Sequence, residues 1–311
     1  MAATRGNHIV PTSTVSQARL RLFQPTQRPT VIAREWVRTS WGSSRVEGRF
    51  GQRHADLIEA FLWCAEQRRE SDDGALELLV DPARVRATLS DDRHSLQRIK
   101  MWITELRAVV IEIETPTLKI IGGVIDHVEI SPKTRKNPLT RGQRHLWRVR
   151  INKAFAHILA NDLPLHYDPA PIARLKSGIS QAIARHILTH KNQPAGGWRL
   201  DSLIIAIGGS RPGNSITLRH RRHEVRADVA GLSKIGIVVD GDRVRRKTVE
   251  KEAACSTGPI ACSTGPIACS TGPARAAPAQ CIQDLQEDQE GEIPFPGDFA
   301  QDNKAPAALS L

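Results

Sequence analysis

SITLRHRRHEVRADVAGLSKIGIVVDGDRVRRKT, from Ser215 to Thr248, reads as an arginine-loaded helix running straight into a β-hairpin that ends in a basic cluster. At about 100° per residue, Leu218, Val225, Val229 and Leu232 fall on one narrow apolar stripe, which is the core-facing side. Arg219, His220, Arg222, His223 and Arg226 then lie on the flank and the opposite face. Gly231 and Ser233 are expected to end the helix, Ile235–Val239 to form a short strand, and Gly241-Asp242 to make the turn. Arg243, Arg245, Arg246 and Lys247 return on the second strand. A positive helix followed by a positive hairpin is how a winged-helix module grips duplex DNA, with the helix in the major groove and the wing on the phosphates.

Upstream of this stretch the pattern supplies the rest of such a module. Leu163–Tyr167 is extended, Ser177–His190 is an amphipathic helix, Trp198-Arg199-Leu200 is a short strand, and Asp201 caps a short helix over Ser202–Ile207. The first half follows the same order. A helix is expected over His54–Arg69, a turn at Ser71–Gly74 and a strand over Leu76–Val80. Asp81-Pro82 is a helix start signal, with a capping carboxylate followed by proline. A longer helix over Arg93–Arg107 buries Leu96, Ile99, Ile103 and Leu106. Strands over Val109–Glu114, Leu118–Ile121 and Val124–Ile130 follow. In this half His94, Gln97 and Arg98 occupy the face equivalent to the arginine face, and Glu105 shares that face, where it repels phosphate.

The expected fold class is therefore α+β, with two tandem winged-helix domains. Residues 1–40 are expected as a flexible arm, 41–161 as the first domain with a basic linker, 162–250 as the second, and 251–311 as a disordered tail. Within the linker, Ser131–Asn161 carries eight Lys/Arg and no acidic residue. Lys133, Arg135, Lys136, Arg141 and Arg144 are candidate phosphate contacts, weighed against a merely solvated face.

Charge points the same way. Residues 1–250 carry 41 Lys+Arg against 25 Asp+Glu, whereas 251–311 carry 3 against 8. A body this basic fits a polyanion, and nucleic acid is the commonest. A single Tyr and 4% aromatic residues argue against base-stacking RNA or single-strand platforms and favour duplex DNA. No apolar run reaches the roughly 20 residues of a spanning helix, so no membrane partner and a cytoplasmic location are expected. Cofactors and metals are not expected. A nickase needs a tyrosine beside a His-x-His pair, but Tyr167 stands alone and no His-x-His occurs. No phosphate-binding G-x-x-x-x-G-K-[ST] loop occurs either, and a non-enzymatic role follows. His186 and His190 lie one helical turn apart and read better as an ordinary helix face than as a metal pair.

The tail repeats ACSTGPI at Ala254–Ile260 and Ala261–Ile267, then ACSTGP at Ala268–Pro273. Seven codons span 21 base pairs, close to two turns at about 10–10.5 base pairs per turn. The repeat reads either as replication slippage or as a DNA-level array bound by the protein it encodes.

Several residues carry a family likeness. Leu165-His166-Tyr167, Ile172, Leu175, Ala184-Arg185-His186-Ile187-Leu188, Trp198-Arg199-Leu200-Asp201-Ser202-Leu203 and Leu232-x-x-x-Gly236-Ile237-Val238 resemble broad-host-range plasmid replication initiators of the TrfA and RepC types. The likeness extends over about Leu146–Val239 and more loosely over Ala55–Ile130. It implies a protein that binds direct repeats (iterons) in double-stranded plasmid DNA, helps melt an A·T-rich stretch, loads the host helicase and self-associates to a dimer. It also implies a sliding-clamp contact of the form Gln-Leu-x-Leu-Phe. Here Arg19-Leu20-Arg21-Leu22-Phe23 keeps Leu20, Leu22 and Phe23 but has Arg in place of Gln. A transcriptional repressor built from the same modules is the alternative, and it would act as a two-fold dimer on a palindrome.

Overall fold

The computed structural model describes residues 11–19, 22–33, 36–38, 42–89, 94–136 and 142–247. The chain divides into two compact units, Met1–Lys251 and Glu252–Leu311, and every described residue belongs to the first. The tail repeats, Leu20 and Arg141 lie outside the described residues.

The described chain is mixed α and β. It opens with β1 (Ser13–Thr14), α1 (Val15–Arg19), β2 (Val31–Ala33), β3 (Val37–Arg38) and β4 (Ser43–Arg49). A first lobe follows: α2 (Gln52–Cys64), β5 (Ala65–Glu70), β6 (Leu76–Val80), α3 (Pro82–Leu89), α4 (Leu96–Arg107), β7 (Val110–Glu114), β8 (Lys119–Gly122), β9 (Ile125–Lys136), β10 (Gln143–Ile151) and α5 (Lys153–Asn161). The second lobe contains β11 (Pro164–Leu165), α6 (Ala170–Ala173), α7 (Gly178–Leu188), β12 (Trp198–Arg199), α8 (Leu200–Ala206), α9 (Ser215–Ala227), α10 (Val229–Lys234), β13 (Ile237–Asp240) and β14 (Arg243–Arg246). Each lobe has its own apolar core. One is built around Phe61, Leu78, Ile99, Leu106, Val149 and Phe155, the other around Ile183, Ile187, Ile204, Val225, Leu232 and Val244.

Local chemistry explains most boundaries. The Asp81 carboxylate accepts the Ala83 N–H at 2.9 Å, and Pro82 opens α3. Ser95, Ser177 and Asn214 cap α4, α7 and α9 through the N–H groups of Arg98, Ser180 and Thr217. The Ser95 cap starts α4 at Leu96, three residues later than expected. The expected helix over His54–Arg69 ends at Cys64, because Glu66–Glu70 offers no apolar face to bury. The turn through Gly74, at φ +83, instead folds these polar residues back onto β6 as an edge strand. Helix α9 breaks at Asp228 rather than at Gly231. The buried Asp228 carboxylate accepts the N–H groups of Lys176 and Ser177 at 3.0 and 2.8 Å, and α10 then carries Gly231 and Ser233 within it.

The two lobes share one connectivity. The first sheet runs β5-β6-β10-β9 and the second β12-β14-β13, so in each lobe the strand that directly precedes the second helix (β6 before α3, β12 before α8) pairs with the last strand of the hairpin. Trp147 faces Val80 in one, and Trp198 faces Val244 in the other. The order helix, strand, helix, helix, hairpin is met by α2, β6, α3, α4, β9–β10 and by α7, β12, α8, α9, β13–β14. This corrects the assignment of the first hairpin. Strands β7 and β8 form an insertion that pairs with β4 in a separate sheet, β2-β4-β7-β8. The segment expected as a basic linker supplies the true hairpin, β9–β10, and the helix α5 that closes the first core.

A buried polar network joins the lobes. On α7 the Arg185 guanidinium, 4% exposed, donates to Glu59 Oε1 (2.8 Å), Glu59 Oε2 (2.7 Å), Asp56 Oδ1 (2.6 Å) and Gln52 Oε1 (2.7 Å), all on α2. Gln181 donates to Asp56 at 3.0 Å, and Tyr167 donates its hydroxyl proton to Glu59 at 2.6 Å. Burial pushes the Asp56 carboxyl up to about 6 even with Arg185 opposing it. Burial, then the Glu59 charge, hold the Tyr167 phenol well above its ordinary value. The residues expected as a flexible arm enter this seam. Thr12, Ser13, Thr14 and Gln17 are buried, and β1 pairs with β11.

Candidate nucleic-acid interface

Helix α9 buries Leu218 and Val225, seven residues apart, and this fixes which residues face outward. Arg219, His220, His223 and Arg226 are exposed. No acid lies within ion-pair distance of Arg219, His223 or Arg226 among the described residues. Their i, i+4, i+7 spacing places them on one face. The other cations of the helix are engaged. Arg222 forks onto Asp201 at 2.6 and 2.5 Å, Arg221 donates to Glu224 at 2.8 Å, and His220 lies 3.9 Å from Glu224. Arg222 thus ties α9 to the first turn of α8 and is a positioning residue for the exposed face, not part of it.

The hairpin lies beside this helix. Gly241 takes φ +58 in the β13–β14 turn, where a side chain is strained. The turn's Asp242 carbonyl accepts the Leu200 N–H at 2.7 Å, which ties it to the start of α8. Asp201, next in sequence, is held below its ordinary range first by its hydrogen bonds from Arg222, then by the nearby charges of Arg199 and Arg226. Arg199, Arg222, Arg226 and the turn therefore converge. Val244 is buried, so Arg243 and Arg245 point to the opposite side of β14. Arg243 approaches Asp242 at 3.9 Å, and Arg245 donates to the Gly196 carbonyl at 3.4 Å. Arg246 is an anchor: its guanidinium donates to the Lys191 carbonyl at 2.8 Å and its N–H to Gln193 at 2.5 Å. Lys247 is exposed. Arg199 was missed at the sequence level, although its alternation with half-buried Trp198 on β12 marks it as outward-facing.

In the first lobe Gln97 and Arg98 are exposed on α4, while His94 meets Trp102 edge-on at 4.8 Å. Glu105 does not repel phosphate from this face as expected. Arg53 (2.6 Å), His54 (2.8 Å) and Arg49 (3.7 Å) surround its carboxylate. His54 is buried and accepts the Gly51 N–H at Nδ1, so Nε2 carries the proton donated to Glu105. Burial depresses the His54 pKa to about 4.

The acid-free run of basic residues is not free of acids in space. Arg135 pairs with Glu66, and Arg144 forks onto buried Asp81 at 2.9 and 2.6 Å. Arg148 meets Glu129 at 3.3 Å, and Arg150 meets Asp73, Glu77 and Asp126. These partners come from β5, β6 and neighbouring strands, invisible to a count along the chain. Of the five candidates in this run, Lys136 is exposed with no carboxylate partner among the described residues, and Lys133 donates to Gln67 at 2.9 Å. The proposed clamp contact is likewise corrected. Leu22 and Phe23 are 3% and 6% exposed, and Phe23 stacks on Phe50 at 4.3 Å, so both side chains belong to the first core.

Tyr167 is a seam residue. The Nε2 atoms of His186 and His190 lie 3.3 Å apart, and no group of three metal-capable side chains occurs among the described residues. No helix among them is long and apolar enough to cross a membrane.

No family model and no curated protein matches the chain. Among solved structures it is similar to one titled "Crystal structure of the RctB domains 2-3, RctB-155-483". The identity is 9% and the TM-score 0.41, over 73% of this chain and 94% of that one.

Proposed function

We propose that this chain is a non-enzymatic, sequence-specific binder of double-stranded DNA that initiates plasmid replication through two winged-helix modules. The observation that carries the reading is the repeated connectivity, with the last hairpin strand central in both lobes and the exposed Arg219, His223 and Arg226 beside a basic hairpin in the second. A helix of that kind supplies base contacts from the major groove, and the hairpin supplies phosphate contacts. Tandem modules in one chain suit direct repeats, which favours an origin over a repressor's palindrome. In this reading the second lobe reads bases and the first adds affinity through Arg98, Lys133 and Lys136. Host helicase and clamp are the expected partners, and any clamp contact lies away from Leu22 and Phe23.

The test has two stages. Duplexes selected from a random library by the full chain are footprinted, and the gene is then supplied in trans to a minimal origin fragment. Protection of two adjacent major-groove segments together with plasmid maintenance is the expected result. A single palindromic footprint without maintenance refutes initiation, and failure to select any duplex refutes DNA reading.

A further inference from the structure

Residues 12–19 and 22–30 touch both lobes. At one end, Thr12 and Val15 donate their N–H groups to Leu165 and Leu163 of the second lobe, both at 3.0 Å. At the other, the Gln24 N–H reaches the Phe50 carbonyl at 2.8 Å, and the Gln52 N–H reaches the Thr26 carbonyl at 3.0 Å, both on the first lobe. Gln27 turns back to the second lobe and donates to the Leu175 carbonyl at 3.4 Å. Gln52 joins this segment to the seam network, because its Nε2 donates to the Gln24 carbonyl at 3.3 Å while its Oε1 accepts from Arg185.

Two glycines mark the crossing. Gly51 caps α2, and Gly178 is the first residue of α7, the corresponding helix of the second lobe. Neither has a positive φ, so neither position needs glycine for its backbone. Both need it for space. A Cβ at Gly178 would fall 2.5 Å from the Thr26 Cα, and one at Gly51 would fall 2.6 Å from the Thr26 carbonyl oxygen. Thr26 is thus wedged between the N-termini of the two equivalent helices, and only residues without a side chain admit it.

We propose that residues 12–19 and 22–30 act as a strap that holds the lobes in one orientation and thereby sets the spacing and helical phase of the two DNA segments the protein accepts. The second half of this statement rests on the DNA-binding reading; the first does not. A segment that merely covered apolar surface would have no reason to contact both helix N-termini or to hydrogen-bond Gln52, which also holds Arg185.

The test uses the full chain and Gly178→Val, which drives a side chain into Thr26. Without DNA, amide hydrogen exchange at Thr12, Val15 and Gln24 is expected to speed up on the order of tenfold, while α4 and α9 keep their wild-type rates. With a duplex selected for the wild type, about 5 base pairs are inserted between the two protected segments, half of a turn of about 10–10.5. The wild type should lose binding on the order of 100-fold, the scale of a lost second engagement, and the variant should lose little further. Thr12→Pro removes the N–H donated to Leu165 at the far end of the strap, and is read at Val15 and Gln24 where Gly178→Val raises exchange throughout both lobes. Unchanged exchange in the strap overturns the proposal, as does faster exchange with a wild-type insertion penalty. Where the wild type selects no duplex, the DNA reading fails, and the exchange measurement alone decides whether the strap fixes the lobes.

Discussion

Replacing Arg185 by Met keeps most of the side-chain volume and removes the charge that the seam is built around. Four hydrogen bonds disappear, two to Glu59, one to Asp56 and one to Gln52. Hydrogen bonds to charged groups contribute roughly 1.5–3 kcal/mol each, but these share one donor group and do not add. The better measure is removal of one partner from a buried ion pair, which costs about 3–5 kcal/mol because the other charge stays buried without compensation. For one compact unit of Met1–Lys251 that corresponds to a fall in melting temperature of roughly 6–20 °C. The sign of the pH dependence is a second, independent check. Burial already raises Asp56 to about 6, above its unfolded value, so this group stabilises the fold at low pH and the contribution is lost as pH rises through 6. Without Arg185, Asp56 moves further up, and the deficit of the variant should shrink as pH falls from 8 to 5. Urea denaturation at several pH values measures both quantities. Adding Asp56→Asn and Glu59→Gln to the Met variant should recover most of the loss. A loss under about 1 kcal/mol, or one that does not change with pH, refutes the view that a charged network joins the lobes.

His54, depressed to about 4 by burial, stabilises the fold above its unfolded value near 6.5, and that contribution, roughly 3 kcal/mol, is lost as pH falls toward 4. It opposes Asp56 over the same window, so His54→Gln should make stability rise, relative to wild type, between pH 6.5 and 4.5 in denaturant titrations. Arg219→Ala with Arg226→Ala should weaken binding to the selected duplex by about 1–3 kcal/mol for each residue that reads a guanine, with the melting temperature unchanged. Wild-type affinity at physiological salt would exclude α9 as the reading helix. Lys133→Gln with Lys136→Gln should reduce the slope of log K against log salt by about 2, measured by fluorescence anisotropy. Arg144→Gln should leave that slope unchanged and instead destabilise the first lobe by about 1–3 kcal/mol, because buried Asp81 loses its fork.

The second lobe was the more legible in sequence, and the reason is physical. Its strand, helix and hairpin are contiguous from Trp198 to Arg246, so hydrophobic period and turn chemistry specify them locally. Gly241-Asp242 fixes the hairpin, and Asn214 caps the helix that Leu218 and Val225 orient. The first lobe hides the same connectivity behind an insertion. Strands β7 and β8 carry alternation as clear as that of β9 and β10, and only pairing decides which hairpin joins β6. No period distinguishes a strand that pairs with β4 from one that pairs with β6. The strap was unreadable for a related reason. Thr12, Ser13, Thr14 and Gln17 are polar, and polarity in sequence predicts exposure, yet each is buried, with the Thr12 N–H bonded to the distant Leu165 carbonyl and Ser13 donating to Gln17 within the segment.

The same long-range pairing divides the arginines into two populations that composition cannot separate. Arg144, Arg185 and Arg222 each present a planar fork to a carboxylate, on Asp81, on Glu59 and on Asp201 respectively. A bidentate fork fixes direction as well as distance, so each holds two elements at a set angle: β10 against the start of α3, α7 against α2, and α9 against α8. Arg98, Arg219 and Arg226 have no such partner among the described residues. The excess of basic over acidic residues in 1–250 therefore overstates the number of phosphates that can be engaged. Salt dependence reports only the second population, because counterions are released from DNA by cations that are free to approach it. Loss of a fork should appear first as lost stability, and as lost DNA affinity only through the helix it no longer positions. For Arg222 this ordering is sharpest. Its neighbours Arg219, His223 and Arg226 supply the exposed face, and the Asp201 fork fixes that face against α8, so in the proposed function it would set the angle at which the face meets a groove.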